Sequence, residues 1–395
     1  MSMKKSSFII IILSGIIFAL GQVGRIPIQN GLVVNLLDVV VGVGVIVLFI
    51  RHLWIKKIVM PGSRYLLFFS SVSLLALAIN SLRYGFPETF VAFLYLLRLV
   101  SYWLLFYLVR SIAGQRIIIR KTLLGAGLGI TFLGYIQYIF YPSLRNLFYL
   151  GWDEHLFRMF STFLDPNFAG AFFALLIPFI CGFLLQEKRN LYRVSYVFLV
   201  LLSLVALYLT YSRTGLIMFV AGIIAFFAVY GKKRYAVIGL TLVLAGFVLF
   251  ANKHIEGLNP LRMASTVARL ETVQNGLKIF SQNSLIGVGF NAYRYEQIRQ
   301  GFRPGEVAYV SHADSGVDNS YVLLLATSGV IGSILYGIFM YKAVVSSFMS
   351  NRKSERAVVV SMTVSFLVGG LFINLLFYPP LLFFMLVVLG TTQNK

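Results

Sequence analysis

The chain has 395 residues, of which 59% are hydrophobic and only 12% are charged, and its mean hydropathy is +0.85. These values exclude an ordinary soluble domain, in which about 25% of the residues are charged. The formal net charge of +21 could indicate nucleic-acid binding, but the placement of the basic residues along the chain favours a membrane topology instead.

Apolar runs recur along the whole chain, and most are about 20 residues long, which is enough to cross a bilayer core of about 30 Å. They predict an all-α integral membrane protein with about twelve transmembrane helices. The predicted spans are residues 8–24, 32–50, 65–82, 89–109, 122–141, 167–185, 192–211, 214–230, 235–251, 319–341, 357–377 and 379–391. A basic N-terminus precedes the first run without a small-residue cleavage pattern, so we expect an uncleaved span.

The longest polar segment, residues 252–318, interrupts the apolar runs between the ninth and tenth predicted spans. Lipid cannot satisfy stray backbone groups, so such a segment lies in water or is enclosed by protein. We expect one integrated membrane domain, in which residues 1–251 carry the first nine spans and residues 319–395 carry the last three. The polar side chains of the intervening loop are candidates for function.

The distribution of lysine and arginine indicates the orientation in the membrane. With the N-terminus in the cytoplasm, 21 of the 34 basic residues fall in cytoplasmic segments, whereas the short outer loops hold few. The positive-inside rule therefore predicts that both termini are cytoplasmic and that the large loop is extracytoplasmic. The excess charge then marks topology and contacts anionic lipid headgroups, and we expect no nucleic-acid partner.

Two arginines stand out at or within the predicted spans. Arg98 lies inside the fourth span, where a charge costs at least about 2.5 kcal/mol and normally faces the bundle interior or a wet cavity. It could bind an anion there or pair with a polar group on another helix. Arg213 lies in a tight turn between the seventh and eighth spans, on the side where basic residues are disfavoured. It could clamp a phosphate with its planar fork of donors, or anchor the chain at the interface.

Two further segments carry helix signals. Asp165-Pro166-Asn167 opens the sixth span and is typical of helix capping, and the same geometry leaves N–H groups that can bind an anion. In the large loop, a periodic apolar pattern predicts an amphipathic helix that begins at Arg269 and lies on the outer surface. The predicted apolar face consists of Leu270, Val273, Leu277 and Phe280.

Polar residues cluster just before the tenth span. His312, Asp314 and Asp318 could supply a general base for a hydroxyl nucleophile, or ligands for a divalent metal ion. Asp318 could instead cap the tenth helix, with Asn319 and Ser320 contributing. Capping is compatible with catalysis, so the residues leave these interpretations open.

Four motifs, in this order, resemble the O-antigen ligase and polymerase superfamily of bacterial membrane glycosyltransferases. The motifs are Asp165-Pro166-Asn167, Ser212-Arg213-Thr214-Gly215, the Arg269 helix leading to Gly287-Val288-Gly289, and Asp318-Asn319-Ser320-Tyr321 followed by Ser328-Gly329-Val330-Ile331-Gly332. The resemblance covers most of the chain and implies a GT-C-like membrane fold. One departure matters: ligases of the family have a histidine at the start of the last motif, where this chain has Asp318. The departure favours a polymerase of capsule, exopolysaccharide or another envelope glycan.

The resemblance implies transfer of a glycan from an undecaprenyl-pyrophosphate donor to a sugar hydroxyl, outside the bacterial cytoplasmic membrane, without metal, cofactor or nucleotide sugar. Arg213 and Arg269 would stabilise the departing pyrophosphate, with Arg98 or Arg262 as a third cation. Asp318 would accept the proton of the attacking hydroxyl. Further substrate contacts would come from Asp165, Asn167, His312 and Asn319. A chain-length regulator and a flippase are the expected protein partners.

Two alternatives to a polymerase stay open. A ligase would move finished glycan from the same donor to a lipid, protein or wall acceptor, and the motifs barely separate the two activities. A transporter or flippase would do no chemistry, and the concentration of arginine and aspartate outside the spans argues against it. Aromatic residues of the large loop could stack on sugars or simply pack at the surface: Tyr293, Tyr295, Phe302 and Tyr309.

Overall fold

The computed structural model of the protein describes residues 3–28, 32–55, 60–231, 263–303, 316–350 and 352–392. Within these ranges the chain is mainly helical, with one short antiparallel hairpin of β1 (Arg25–Pro27) and β2 (Val33–Asn35). The helices are α1 (Met3–Phe18), α2 (Leu36–Ile55), α3 (Ser63–Tyr84), α4 (Phe86–Ser111), α5 (Arg116–Phe140), α6 (Pro166–Leu184), α7 (Asn190–Leu209), α8 (Arg213–Tyr230), α9 (Met263–Gln282), α10 (Tyr293–Arg299), α11 (Ser320–Phe348), α12 (Lys353–Gly369) and α13 (Pro379–Thr391).

Seven of the described helices are long and apolar enough to cross a membrane, namely α3 to α8 and α11. Shorter apolar helices occur within α1, within α2 and at α13. The protein is therefore an all-α membrane protein with several membrane-spanning helices. The predicted total of twelve spans stays a prediction, and the predicted span 235–251 lies outside the described residues.

Helix α6 lies at the centre of the bundle. In its most apolar stretch 72% of the residues are buried, against 17% in α7. The α6 backbone approaches α8 so closely that a Cβ on Gly215 would lie 2.8 Å from the carbonyl carbon of Gly170. Small residues allow such close helix contacts, which supply the packing that stabilises membrane bundles. By contrast, α7 exposes a row of apolar side chains, as expected of a helix that faces lipid.

A buried ion pair joins α5 to α12 at the end of the bundle where α6 terminates. Arg120 donates to Glu355 over 3.2 Å, and both side chains are almost inaccessible. Glu355 also accepts a hydrogen bond from Ser350 over 2.7 Å. Removing one partner of such a pair would leave an uncompensated buried charge, so the contact ties these helices together.

Two predicted spans end earlier than the hydropathy pattern indicates. The first helix stops at Phe18 rather than near residue 24, because the chain turns at Gly21 and its neighbour Gln22 donates to the carbonyl of Thr162. The eleventh stops at Gly369 rather than near residue 377. Residues 370–376 then fold back onto the start of α11, where Ser320 donates its N–H to Gly370 over 2.7 Å.

Helix α11 breaks at Gly329, which adopts φ 61° and ψ −172°. The segment between α9 and α10 fills the break and pairs with it. Four backbone hydrogen bonds replace the missing helical ones: Val288 N–H to Ala326 O (3.0 Å), Gly289 N–H to Thr327 O (2.9 Å), Val330 N–H to Ser284 O (2.8 Å) and Ile331 N–H to Leu285 O (3.1 Å). Irregular backbone is tolerated in a membrane bundle when its polar groups are satisfied in this way. The paired backbones fix α9 and α10 against α11.

Candidate functional site

A cavity of about 1260 Å³ opens at the end of the bundle where α6, α8 and α11 begin. The rest of its wall is formed by α4, the β hairpin, the 145–165 segment and the α9–α10 segment. Among the residues that the structure describes, positive side chains outnumber negative ones in its lining. They are six arginines and four carboxylates: Arg25, Arg98, Arg158, Arg213, Arg269 and Arg294, with Asp153, Glu154, Asp165 and Asp318. The cavity therefore suits a large anionic ligand, because the arginines outnumber the carboxylates.

Two helix N-termini lie side by side in the cavity wall. Asp165 caps α6 by accepting from the N–H groups of Asn167 (2.6 Å) and Phe168 (3.3 Å), which confirms the predicted cap. Ser212 caps α8 in the same way through Gly215, and its hydroxyl donates to Asn167 over 3.3 Å. Aligned peptide dipoles make a helix N-terminus favourable for negative charge. At α6 the Asp165 carboxylate already occupies that position, whereas the neutral Ser212 cap leaves the N-terminus of α8 suited to phosphate oxygens.

Arg213 is the first residue of α8 and lines the cavity. The preceding turn is held in place by Arg158, which donates to the carbonyls of Thr210 (3.0 Å) and Tyr211 (3.3 Å). Tyr211 has φ 49°, a conformation that costs a non-glycine residue about 1–3 kcal/mol and is found preferentially at functional sites. The turn thus fixes the backbone position from which the Arg213 side chain reaches the cavity.

Arg269 and Asp318 form the second predicted element of the site. The Arg269 Nε lies 3.9 Å from an Asp318 carboxylate oxygen, and both side chains remain partly exposed to the cavity. Asp318 does not cap α11. Asn319 does, accepting from Tyr321 N–H (2.9 Å) and Val322 N–H (3.0 Å), and its own amide donates to Leu371. The Asp318 carboxylate is therefore not needed to start the helix. Asn319, predicted as a substrate contact, instead serves as the N-cap of α11.

The helix that carries Arg269 begins at Met263 rather than at Arg269. Its predicted apolar face is divided between two environments: Leu270 and Leu277 are exposed, whereas Val273 and Phe280 pack against the buried side chains of the α9–α10 region. The buried side consists of Thr272, Asn275, Gly276 and Ile279. A Cβ on Gly276 would lie 2.6 Å from Val322 of α11, so this side packs closely against α11 and directs Arg269 toward Asp318.

Arg98 both lines the cavity and pairs with another helix. Its Nε lies 3.3 Å from Asp38 of α2, and the same carboxylate accepts from the hydroxyl of Tyr102 over 2.8 Å. The guanidinium also lies 5.0 Å from the centroid of the Tyr95 ring. The two interpretations of Arg98 as an ion-pair partner and as a cavity residue are therefore compatible.

The structure adds residues to the cavity that sequence reasoning missed. Arg25 lies on β1 and Arg294 on α10, and burial lowers the pKa of Arg25, as do the charges of Arg98 and Arg294. His155 lies with Nε2 3.9 Å from an Asp165 carboxylate oxygen. No local motif marks these three positions, because the hairpin and loop contacts that bring them to the cavity are distant in sequence.

Helix α10 is fixed by a buried carboxylate. Glu296 is fully buried and accepts from Arg299, Gln300 and the hydroxyl of Tyr84 at the end of α3. Burial disfavours the charged form, but hydrogen bonds from these three donors outweigh it and keep the pKa of Glu296 below its ordinary value. Tyr293 and Tyr295 are largely buried in the same region at the border of the cavity, so most of each ring packs against protein.

Three predicted residues cannot be placed at the cavity. Arg262, His312 and Asp314 lie outside the described residues, as does Tyr309. Within the ranges that the structure describes, no three His, Cys, Asp or Glu side chains form a group that could hold a metal ion.

The fold and cavity define a multi-pass, all-α membrane protein with a cationic site at one end of its bundle. A family model described as O-antigen ligase matches residues 198–337. This match includes Arg213, Arg269 and Asp318 and confirms the resemblance to the O-antigen ligase and polymerase superfamily. No curated protein matches the chain.

Proposed function

We propose that the protein polymerises an envelope polysaccharide. It would transfer glycan from an undecaprenyl-pyrophosphate donor to a sugar hydroxyl on the outer side of the bacterial cytoplasmic membrane, with both termini in the cytoplasm. The observation that carries the proposal is the meeting of Arg213, Arg269 and Asp318 around one cavity. A chain-length regulator and a flippase remain the proposed partners.

The proposed reaction is a direct displacement at the anomeric carbon. The acceptor oxygen forms a bond to that carbon, the bond to the pyrophosphate oxygen breaks, and the electron pair leaves with the pyrophosphate, so configuration is inverted. Arg213 and the N-terminus of α8 receive the developing charge, which fixed donors stabilise best in a water-poor site. The hydroxyl proton passes to the Asp318 carboxylate.

Arg269 has two roles in this arrangement. Its contact with Asp318 orients the carboxylate toward the cavity, and its remaining donors can reach a pyrophosphate oxygen. The polyprenyl tail stays in the apolar surroundings of the bundle, while the charged headgroup enters the cavity. The chemistry draws on arginine and helix N-termini for charge stabilisation, and metal independence is part of the proposal.

A ligase is the second candidate, and the description of the matching family favours it. It would use the same donor, the same arginines and the same base, but a different acceptor. A cavity of about 1260 Å³ has room for a donor headgroup together with part of an acceptor glycan, which either activity requires.

A reconstituted assay tests the proposal. Purified protein is mixed with lipid-pyrophosphate-linked repeat units, with and without chelator and without a second acceptor, and the products are sized on a gel. We expect a ladder of lengthening glycan in both conditions. Transfer only after addition of a different acceptor would make the protein a ligase. Absence of transfer in every condition would overturn the glycosyltransferase and favour a transporter.

Asp318→Asn is expected to lower turnover by about 10²–10⁴-fold, the usual contribution of a positioned acid or base. The amide keeps the size of the side chain, and the helix cap resides on Asn319, so the protein should remain folded. The measurement is kcat across a pH series. Glu271→Gln is the matched control, since Glu271 is an exposed carboxylate on α9 that does not line the cavity. Normal turnover of the Asp318→Asn enzyme with an unchanged pH profile would exclude Asp318 as the base.

The orientation can be tested with single cysteines in a Cys181→Ala background. A cysteine at position 300, just after α10, should react with an impermeant thiol reagent applied to intact cells. One at position 188, between α6 and α7 at the opposite end of the bundle, should react only after the membrane is opened. The reverse labelling pattern would place the cavity on the cytoplasmic side.

A further inference from the structure

The cavity holds a second group of arginines besides Arg213 and Arg269. This second arginine group consists of Arg25, Arg98 and Arg294, which the β hairpin, α4 and α10 bring together. Arg98 donates to the carbonyl of Val33 on β2 over 3.4 Å, which places its guanidinium beside the hairpin that carries Arg25. The charges of Arg98 and Arg294 both act on Arg25. The elements that carry these three arginines are distant in sequence. The proposed displacement assigns the pyrophosphate to Arg213 and Arg269, although the resemblance offered Arg98 or Arg262 as a third cation.

The carboxylate on the protein side of this group is already engaged. Asp38 contacts Arg98 over 3.3 Å, and its oxygens also accept from Tyr102 over 2.8 Å and from the backbone N–H of Asn35 over 2.9 Å. Asp38 therefore holds Arg98 from the side of α2. In the described lining of the cavity, arginines still outnumber carboxylates. A ligand with negative charge would complement this excess.

Aromatic rings surround the second arginine group. The Arg25 guanidinium lies 5.4 Å from the centroid of the Trp152 ring, and Arg98 lies 5.0 Å from that of Tyr95. Tyr378 completes the lining, stacked on Phe168 with ring centroids 3.9 Å apart. Rings of this kind offer flat, amphipathic faces that suit the C–H face of a pyranose. A pyrophosphate makes no use of such faces, whereas an acidic sugar uses both the rings and the arginines.

We propose that the second arginine group and its aromatic neighbours form a glycan subsite for a sugar that carries a carboxylate, so that the polymerised repeat unit is acidic. The carboxylate accepts paired hydrogen bonds from a guanidinium, as the planar fork of arginine allows. The sugar ring lies against Trp152 or Tyr95. This subsite rests on the proposed function, because it selects the glycan that Arg213, Arg269 and Asp318 would transfer.

The first test measures binding without chemistry. Purified protein in detergent micelles is titrated with a glucuronic-acid-containing oligosaccharide and with its carboxyl-reduced, neutral analogue. We expect the acidic form to bind at least tenfold more tightly. Arg25→Gln and, separately, Arg294→Gln should each weaken acidic binding by about tenfold and leave neutral binding unchanged. The control is Arg83→Gln, an exposed arginine at the end of α3 that does not line the cavity.

Two outcomes would overturn the subsite. Equal binding of the acidic and neutral oligosaccharides would show that the arginines do not recognise the carboxylate of the sugar. If Arg25→Gln instead weakens binding of inorganic pyrophosphate as much as Arg213→Ala does, the group is a second diphosphate site. Thermal unfolding of each variant distinguishes these outcomes from a folding defect. If Arg25→Gln disturbs the hairpin, Arg294→Gln on α10 still tests the subsite.

Transfer assays then separate failure of the subsite from failure of the proposed function. Arg25→Gln should lower kcat/KM about tenfold more with acidic repeat units on the lipid donor than with neutral ones, because only the acidic unit offers a carboxylate to the guanidinium. A wild-type protein that transfers both kinds of unit equally well contradicts the subsite alone. A wild-type protein that transfers neither contradicts the proposed function, while the binding result still stands on its own.

Discussion

Arg213→Ala should lower the rate of glycan transfer by about 10²–10³-fold, the usual effect of removing one fixed donor from a developing anion. Arg213 begins α8, so its charge adds to the dipole of that helix at the cavity wall. The effect should fall on kcat more than on KM, because the pyrophosphate gains charge as the glycosidic bond breaks. The measurement is kcat and KM at saturating acceptor.

Two further variants make this result specific. Arg213→Lys keeps the charge but not the planar fork, so its activity should lie between those of the wild type and the alanine variant. Arg145→Ala removes an exposed arginine of the 145–165 segment that does not line the cavity, and it should leave transfer unchanged. Equal turnover of Arg213→Ala and the wild type would remove Arg213 from the proposed pyrophosphate contacts.

The sequence predicted those parts of the site whose signals are local. Asp165 precedes a proline and an apolar run, and Arg213 follows a turn between two apolar runs. Neighbouring residues were therefore enough to predict that both positions lie at helix starts. Arg269 and Asp318 were identified through motif order, and the structure brings them within 3.9 Å of each other. Arg25 and Arg294 carry no such signal, because tertiary pairing alone brings the hairpin and α10 to the cavity.

The packing of α9 shows what periodicity alone could not predict. The pattern indicated a helix with an apolar face, but it did not show which residues of that helix pack against the bundle. In a membrane protein apolar side chains can remain exposed, and close helix contacts favour small residues instead. Gly276 and Thr272 accordingly face α11, whereas Leu270 and Leu277 do not.

Hydropathy alone also could not locate the ends of the first and eleventh predicted spans. Residues 370–376 are apolar enough to continue a helix, yet they turn back at Gly370 to bond Ser320. That turn depends on partners some 50 positions away in the chain, such as the 2.9 Å hydrogen bond from the Ser320 hydroxyl to Ile373. A window that averages neighbouring residues does not contain this information.

Gly329→Ala should destabilise the protein strongly, because the break in α11 requires glycine in two ways. Its backbone angles belong to a region that is essentially restricted to glycine, where another residue costs about 1–3 kcal/mol. A Cβ there would also lie 2.3 Å from the backbone of Leu285, and relieving such an overlap costs about 1–3 kcal/mol more. Since the obstacle is backbone rather than a flexible side chain, it cannot simply rotate away.

The matched control lies on the same helix. A Cβ on Gly337 would meet nothing within 4 Å, so Gly337→Ala should be neutral or stabilise α11 by up to about 1 kcal/mol. Thermal unfolding in detergent, followed by transfer activity of the folded fraction, measures both effects. Gly329→Ala should lose activity even in the fraction that folds. The paired backbones at the break hold α9 against α11, and this packing keeps Arg269 of α9 beside Asp318, which precedes α11. If the two variants unfold at the same temperature and transfer equally well, the break does not position the site.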